Sequence, residues 1–417
     1  MKNAEKGPPA GPTIPADPAT GVLDATRPLG VYVHFPFCRV RCPYCDFATA
    51  VCEPIPHDEY AATIVAELAA RAGWFRGDGA PDLQSIYFGG GTPGLWRPEA
   101  IGRVADTARR LFEASEPLEI TVEANPGEVT ARSVAGLRAV GVNRVSLGVQ
   151  AFQDHLLAAI GRQHSVAAIA AAVHAVRAAG IDNLCADLMF GLPGQTADDW
   201  RRSLDALLGF SPEHITAYAL TVERGTPFGA LDRAGKLQRP DDETVAAMSE
   251  TAHEVLQAAG FEHYEISSYA RTGRRAVHNT LYWTGGAYLG VGASASSFRP
   301  LIDGTGWRFS NPRALTTYLR SVAAGEGTPL PAKIERRTAE DLENEGLWLG
   351  LRTSDGVDRA AHERRYGRDP LSFPERAAAA HKCVDAGWLS VAPDRLRLTV
   401  TGFLFADEVA SRLWLGT

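Results

Sequence analysis

Between residues 29 and 220, short runs of β-branched and apolar residues alternate with longer runs whose apolar positions recur at helical spacing. Alternation of strand and helix predicts a parallel sheet with right-handed crossovers. Six strands fall short of the eight that close a barrel. We therefore expect an α/β fold built on an open, six-stranded (β/α)6 partial TIM barrel. The predicted strands are Gly30–His34, Leu83–Phe88, Leu118–Glu123, Asn143–Val149, Asn183–Phe190 and His214–Leu220.

The segments outside this barrel, which covers residues 29–225, differ in composition. Residues 1–28 are rich in proline and poor in large apolar side chains, which predicts a disordered tail. Residues 226–335 are rich in Gly, Ser, Tyr and Trp at irregular spacing, and we expect them to extend the barrel with strands and with loops on its substrate side. Residues 336–417 show helical runs followed by a small hairpin, which predicts a C-terminal α+β domain of winged-helix type.

The charge balance argues against a nucleic-acid partner, because 42 basic residues face 49 acidic ones and the net charge is −7. The chain shows neither the pattern of a signal peptide nor an apolar run as long as a membrane helix requires. Six cysteines, three of them in one short loop, indicate a reducing compartment rather than a disulfide framework. We therefore expect a cytoplasmic protein.

The strongest chemical signal is the C-x3-C-x2-C run formed by Cys38, Cys42 and Cys45, directly after the first predicted strand. Thiolates bind iron–sulfur clusters, and three of them on a four-iron cluster leave one iron open to a small molecule. The alternative is a zinc site, but zinc loops usually come as two C-x2-C pairs. A fourth ligand from elsewhere in the chain stays open. The other cysteines are scattered, at Cys52, Cys185 and Cys383.

Polar or glycine-rich signals mark the ends of four successive predicted strands. A Gly-Gly-Gly-Thr-Pro run at residues 89–93 follows the second strand, and Glu123, Gln150 and Asp187 belong to the third, fourth and fifth. Since the carboxyl ends of parallel strands meet at one edge, we expect these groups to converge. Glycines without a Cβ are expected to let backbone N–H groups approach a ligand. The polar side chains could bind amino, ribose or adenine groups.

Together these motifs resemble the oxygen-independent coproporphyrinogen III oxidase-like family of radical S-adenosylmethionine (SAM) proteins, from about residue 29 to the C-terminus. The resemblance implies a barrel of radical SAM type and a [4Fe-4S] cluster on Cys38, Cys42 and Cys45. It implies that SAM binds at the open iron. The residues that the resemblance assigns to SAM are Tyr32, Gly90, Gly91, Thr92, Glu123, Gln150, Arg162 and Asp187.

Within this family the chain is similar to the haem-chaperone branch rather than to the oxidases. The oxidases carry one more cysteine two residues after the third, where this chain has Phe47. The run from His278 to Trp283 is similar to a chaperone motif whose histidine is implicated in haem binding. The alternative for His278 is a hydrogen-bonded core position. Ser296 stands where relatives carry a further histidine, so any role of that histidine is missing here.

The resemblance thus implies a haem chaperone that binds a [4Fe-4S] cluster, SAM and haem, without coproporphyrinogen oxidase activity. The expected recipients of haem are membrane haem proteins such as respiratory enzymes, with peripheral membrane association and a homodimer also implied. The first alternative is the oxidase itself, in which a radical from SAM leads to oxidative decarboxylation of a porphyrinogen propionate. The second is an interaction adaptor with a vestigial cluster.

Overall fold

A twelve-stranded sheet and a small C-terminal sheet organise the part of the chain that the computed structural model describes, which is residues 18–76, 81–325, 327 and 331–415. The strands are β1 (Leu29–Phe35), β2 (Phe37–Cys38), β3 (Ala50–Val51), β4 (Leu83–Gly90), β5 (Ala114–Ala124), β6 (Arg144–Gln150), β7 (Asn183–Phe190), β8 (His214–Ala219), β9 (Glu262–Glu265), β10 (Ser268–Ala270), β11 (Ala287–Val291), β12 (Ser296–Pro300), β13 (Gly306–Ser310), β14 (Lys333–Arg337), β15 (Val357–Asp358), β16 (Leu389–Val391) and β17 (Arg395–Leu398).

Helices follow most of the strands and cover the sheet. They are α1 (His57–Arg71), α2 (Pro98–Leu111), α3 (Ala131–Ala139), α4 (Asp154–Ala159), α5 (Val166–Ala178), α6 (Ala197–Leu208), α7 (Pro227–Arg233), α8 (Asp242–Ala258), α9 (Val277–Trp283), α10 (Leu315–Ala324), α11 (Ala339–Leu351), α12 (Arg359–Tyr366), α13 (Pro374–Asp385), α14 (Val400–Leu404) and α15 (Ala406–Leu413). None of these helices, searched over the described residues, is both long enough and apolar enough to cross a membrane.

The six predicted strands form the centre of the large sheet, in the order β1-β4-β5-β6-β7-β8. Each pairs with its neighbour in parallel. Strand β6 is buried along its whole length, as expected for a parallel strand covered on both faces. The predicted α/β fold with a partial barrel is therefore confirmed. The main difference in bounds is at β5, which begins at Ala114 rather than Leu118.

The sheet continues beyond these six strands on both sides. Strand β11 lies parallel to β1, and β12, β13 and β14 continue antiparallel from it. At the other edge, β10 and β9 add antiparallel to β8. The predicted six strands are therefore part of a larger sheet, in which β11 makes seven neighbouring strands parallel. These added strands lie within residues 226–337, which also form helices α7 to α10 that irregular apolar spacing did not indicate.

Part of the predicted disordered tail contacts the sheet. Residues 1–17 lie outside the described residues. Further along, Arg299 donates from its guanidinium to the carbonyl oxygens of Thr20 (2.9 Å) and Gly21 (2.7 Å). Leu23 pairs with Leu301 in an isolated β-bridge and is buried. The prediction of disorder is therefore wrong for residues 20–23, because one apolar side chain and two carbonyl groups find partners on the sheet edge.

The C-terminal segment has a hydrophobic core of its own. Strands β15, β17 and β16 form a three-stranded antiparallel sheet, and α11 to α15 pack around it. Arg376 is buried in this core, where its guanidinium donates to Glu343 (2.9 Å) and Asn344 (2.7 Å). The prediction of a C-terminal α+β domain, with helices before a small hairpin, is confirmed.

Candidate functional site

The carboxyl ends of the parallel strands surround a cavity of about 1190 Å³. Its wall brings together every residue that was predicted to bind the cluster or SAM. His278, the predicted haem ligand, is not among its lining residues. The predicted residues in the wall are Tyr32, Cys38, Cys42, Cys45, Gly90, Gly91, Thr92, Glu123, Gln150, Arg162 and Asp187.

The three cysteines lie on one loop, here called the cluster loop (residues 38–45), which is anchored at its base. Phe37 in β2 pairs with Ala50 in β3, and the Ala50 N–H donates to the Pro36 carbonyl at 2.7 Å. The Cys45 N–H donates to the Cys42 carbonyl at 3.2 Å, which turns the loop back on itself. These contacts hold the thiol-bearing segment against the cavity.

The thiols are partly buried and none forms a disulfide. Burial raises the pKa of Cys38 to about 11, and Thr92 opposes this by donating its hydroxyl to the Cys38 sulfur at 3.5 Å. Burial also raises the pKa of Cys45, with the neighbouring Cys42 adding to the effect. Thiolates at Cys38 and Cys45 are therefore costly here without a cation, and a bound metal centre would remove that cost.

The donor set fits an iron–sulfur cluster. A single zinc ion needs all of its sulfur ligands about 2.3 Å from one point. A four-iron cluster binds each thiolate at a different iron, so it suits thiols that lie further apart. Within the described ranges, no three His, Cys, Asp or Glu side chains gather closely enough to hold one metal ion. Arg162 places Nη1 3.9 Å from the Cys42 sulfur, and its buried Nε has no hydrogen-bond partner among the residues described. That donor is available to a ligand beside the loop.

The glycine-rich segment after β4 supports the cluster loop. The N–H of Gly91 donates to the Phe35 carbonyl at 2.7 Å, and that of Thr92 donates to the Phe37 carbonyl at 2.9 Å. A Cβ on Gly91 would lie 2.7 Å from the Phe37 carbonyl oxygen and 2.9 Å from the backbone of Pro36. Glycine is required here because two backbone segments touch.

The remaining N–H group of this segment is also used internally. Gly90 donates to Glu123 Oε2 at 3.1 Å, and its φ of 113° lies in the region that favours glycine. A Cβ at Gly90 would meet the His34 ring at 2.6 Å. The expectation that the N–H groups of Gly90 to Thr92 face a ligand is therefore wrong. The segment lines the cavity, but its N–H groups are bonded within the protein.

Two partly buried carboxyl groups, those of Glu123 and Asp187, line the cavity. Tyr87 donates its hydroxyl to Glu123 Oε1 at 2.7 Å, and burial raises the pKa of Glu123 to about 7. Asp187 accepts from the hydroxyl of Ser146 at 3.2 Å, and burial raises its pKa as well. Glu123 can therefore offer either a proton or a lone pair near neutral pH.

Gln150 and Arg162 line the same cavity as these carboxyl groups. Gln150 has a φ of 68°, an uncommon conformation outside glycine that turns the chain at the end of β6. Its Oε1 accepts from the Tyr218 hydroxyl at 3.0 Å. Arg162 donates from Nη2 to the Gly148 carbonyl at 2.8 Å, which places its guanidinium between β6 and the cluster loop.

His278 lies behind an aromatic wall and not in it. Tyr32, Tyr87 and Tyr282 line the cavity, and the Tyr87 and His278 rings stack with centroids 5.1 Å apart. His278 Nδ1 lies 2.8 Å from Ser85 Oγ, and Nε2 lies 2.8 Å from Tyr282 Oη. Burial lowers its pKa to about 3, so the ring is neutral. Both ring nitrogens of His278 are therefore engaged in hydrogen bonds in this structure, and its role as a haem ligand stays a prediction.

Sequence reasoning missed one functional candidate on β6. Arg144, Ser146, Gly148 and Gln150 all line the cavity, because alternate residues of a strand face the same side. Gln150 was found from its place at the strand end. Polar or small residues stand at every second position from 144 to 150, and this pattern could have indicated that Arg144 faces the cavity.

Comparison with known proteins identifies the family. Residues 32–207 match the Radical SAM superfamily model, and residues 338–405 match the HemN C-terminal domain model. The chain is 36% identical over 381 residues to the heme chaperone HemW of Bacillus subtilis, covering 91% of this chain and 97% of that one. It belongs to the HemW family. The HemW of Synechocystis sp. is 39% identical over 340 residues, 79% of each chain.

A solved structure shares the fold of this HemW-family chain. The coproporphyrinogen III oxidase HemN from Escherichia coli, a radical SAM enzyme, superimposes with a TM-score of 0.79 at 22% identity. The match covers 93% of this chain and 90% of the HemN chain. Phe47, where the resemblance predicts an additional cysteine in the oxidases, lines the cavity and is 65% exposed. Ser296 also lines the cavity.

Replacing Gly91 by alanine is expected to lower the free energy of unfolding by about 1–3 kcal/mol, as overpacking does. The added Cβ meets backbone atoms of Pro36 and Phe37, which cannot yield by rotating a side chain. Gly73→Ala is the matched control, since its Cβ would meet nothing within 4 Å. Denaturant unfolding of the metal-free proteins measures both. Equal stability of the two variants would contradict the packing role.

Stability should depend on pH through Glu123. Its folded pKa of about 7 lies above the ordinary value of 4.5, so the folded state holds an extra proton between these values. Wild-type stability is therefore expected to fall as pH rises through this window, by on the order of 3 kcal/mol. Glu123→Gln removes this titration, so its stability relative to wild type should be greater at about pH 8 than at about pH 5. A difference that does not change with pH would contradict the assignment.

Proposed function

We propose that this protein is a haem chaperone that binds a [4Fe-4S] cluster, SAM and haem and transfers haem to membrane haem proteins such as respiratory enzymes. The observation that carries the proposal is the single cavity lined by the three thiols and all eight predicted SAM residues. Its volume of about 1190 Å³ exceeds the roughly 300–1,000 Å³ of a pocket for one small ligand. The name of the similar HemW proteins supports haem as the cargo.

In the proposed assignment, Cys38, Cys42 and Cys45 hold the cluster. When bound, the cluster supplies an open iron and one-electron chemistry. Arg162 lies between the cluster loop and β6 and offers its unused Nε–H to an anionic or carbonyl group. Glu123 and Asp187 offer partly buried carboxyl groups to the amino and hydroxyl groups of SAM, while Tyr32, Gly90, Gly91, Thr92 and Gln150 complete its site.

Haem binding draws support from the aromatic wall. Tyr32, Tyr87, Tyr282 and Tyr288 line one side of the cavity, and aromatic faces suit a flat apolar ring. His278 is the proposed axial ligand, since a neutral imidazole is a common haem ligand. Its Nε2 is held by Tyr282 Oη, so ligation requires the Tyr282 side chain to turn away.

The coproporphyrinogen oxidase remains the alternative function, and the shared HemN fold is equally suited to it. Phe47 counts against it, because a phenyl ring replaces the thiol of the oxidases at the cavity mouth. A chain that acts only as an interaction adaptor with a vestigial cluster would bind neither SAM nor haem. Cluster reconstitution and haem titration separate these possibilities.

The cluster assignment predicts that Cys42→Ala abolishes the brown chromophore formed on anaerobic reconstitution with iron and sulfide. Cys52→Ala is the matched control, because Cys52 lies seven residues beyond Cys45, outside the cavity lining, with its thiol directed at the Pro54 carbonyl (3.3 Å). Absorbance and iron content are measured for both variants. A normal cluster in Cys42→Ala, or its loss in Cys52→Ala, would overturn the ligand set.

The chaperone assignment predicts saturable haem binding by the reconstituted protein, followed anaerobically through the Soret band. His278→Ala should weaken binding by about tenfold or more, since it removes the ligand. Tyr282→Phe should bind at least as tightly as wild type, because it releases Nε2 of His278. Binding unchanged in His278→Ala would place the ligand elsewhere. Absence of haem binding, with conversion of coproporphyrinogen to protoporphyrinogen, would establish the oxidase instead.

A further inference from the structure

A buried cation lies at the floor of the cavity. Arg144 is the first residue of β6, is 2% exposed and lines the cavity. Its Nε is buried without a hydrogen-bond partner, and over the described residues its guanidinium forms neither a hydrogen bond nor an ion pair within 4.0 Å. A buried charge is costly unless it is paired. An arginine aimed into a cavity in this state points to an anionic ligand.

The acidic residues around Arg144 are bonded to other groups. Glu119 accepts from the N–H groups that begin α9, at 3.1 and 3.2 Å. Glu123 accepts from a tyrosine hydroxyl of β4, and Asp187 accepts from a serine hydroxyl of β6. Burial raises the pKa of both Glu123 and Asp187, which favours their neutral forms. The positive charge of Arg144 is thus left without a contacting carboxylate.

The position of Arg144 separates it from Gln150 of the predicted SAM site. It lies at the amino end of β6, whereas Gln150 lies at the carboxyl end, about 20 Å along the strand. The aromatic wall stands beside it, since Tyr87 and Tyr282 line the same cavity. An arginine presents a planar set of donors that matches a carboxylate. A flat ring bearing carboxylate arms would satisfy both features at once.

We propose that Arg144 binds a propionate carboxylate of haem at the floor of the cavity, with the porphyrin ring along the aromatic wall. This inference rests on the proposed haem-binding function and assigns a second point of attachment, distinct from the axial ligand. It makes the two propionates of haem unequal, since one is buried on Arg144 and the other is directed elsewhere.

The test compares haem with its dimethyl ester, in which both carboxylates are blocked, by anaerobic titration of the reconstituted protein. Arg144→Met keeps the side-chain length and removes the charge. We expect it to weaken haem binding by about tenfold or more and to leave binding of the diester unchanged. Arg201→Met, at an exposed arginine of α6, is the matched control and should change neither affinity. SAM affinity is measured in parallel and should be unchanged.

Each other outcome has a distinct meaning. Equal loss of haem and diester binding in Arg144→Met would show a structural role and overturn the proposal. Loss of SAM affinity with haem affinity kept would assign the arginine to SAM. If wild type binds no haem, the proposed function itself fails. Should Arg144→Met not fold, Arg144→Lys keeps the charge without the planar donor set, and an unchanged preference for haem over the diester relative to wild type would overturn the proposal.

Discussion

The burial of ionisable side chains inside the parallel sheet is the constraint on which the site depends. Glu123, Arg144 and Asp187 project into the cavity from three adjacent strands, where water cannot stabilise their charges fully. The two carboxyl groups meet this cost by hydrogen bonds and by a raised pKa. Arg144 cannot lose its proton, and its Nε has no hydrogen-bond partner in the part of the chain described. A cavity lined by ionisable side chains is suited to binding polar ligands.

Hydrogen bonds join the cluster loop to the glycine-rich segment at residues 89–93, at the carboxyl ends of the strands. The N–H groups of Gly91 and Thr92 donate to the carbonyl groups that precede the loop, so hydrogen bonds join the end of β1, the segment after β4 and the base of the loop. Arg162 extends these contacts to β6 through the Gly148 carbonyl. Because of these hydrogen bonds, we expect cluster binding to affect the position of the strand ends that are predicted to hold SAM.

Local patterns predicted the fold and the edge where the site forms. Apolar strand runs are contiguous in sequence, and parallel topology brings their ends together, so Glu123, Gln150 and Asp187 could be placed in one cavity in advance. Contacts distant in sequence could not be foreseen. Ser85 and His278, which are hydrogen-bonded, stand 193 residues apart, and only folding shows that both nitrogens of His278 are engaged. The same holds for position 91, where glycine is required because the backbone of Pro36 and Phe37 lies too close for a Cβ.

The central claim is that three cysteines hold a four-iron cluster whose remaining iron faces SAM inside this cavity. Mössbauer spectroscopy of the protein reconstituted with isotopically labelled iron tests it most directly, recorded with and without SAM. We predict one iron site distinct from the other three, whose signal alone shifts when SAM is added. Four equivalent irons with a spectrum indifferent to SAM would contradict the account, because they would require a fourth protein ligand and a closed cluster.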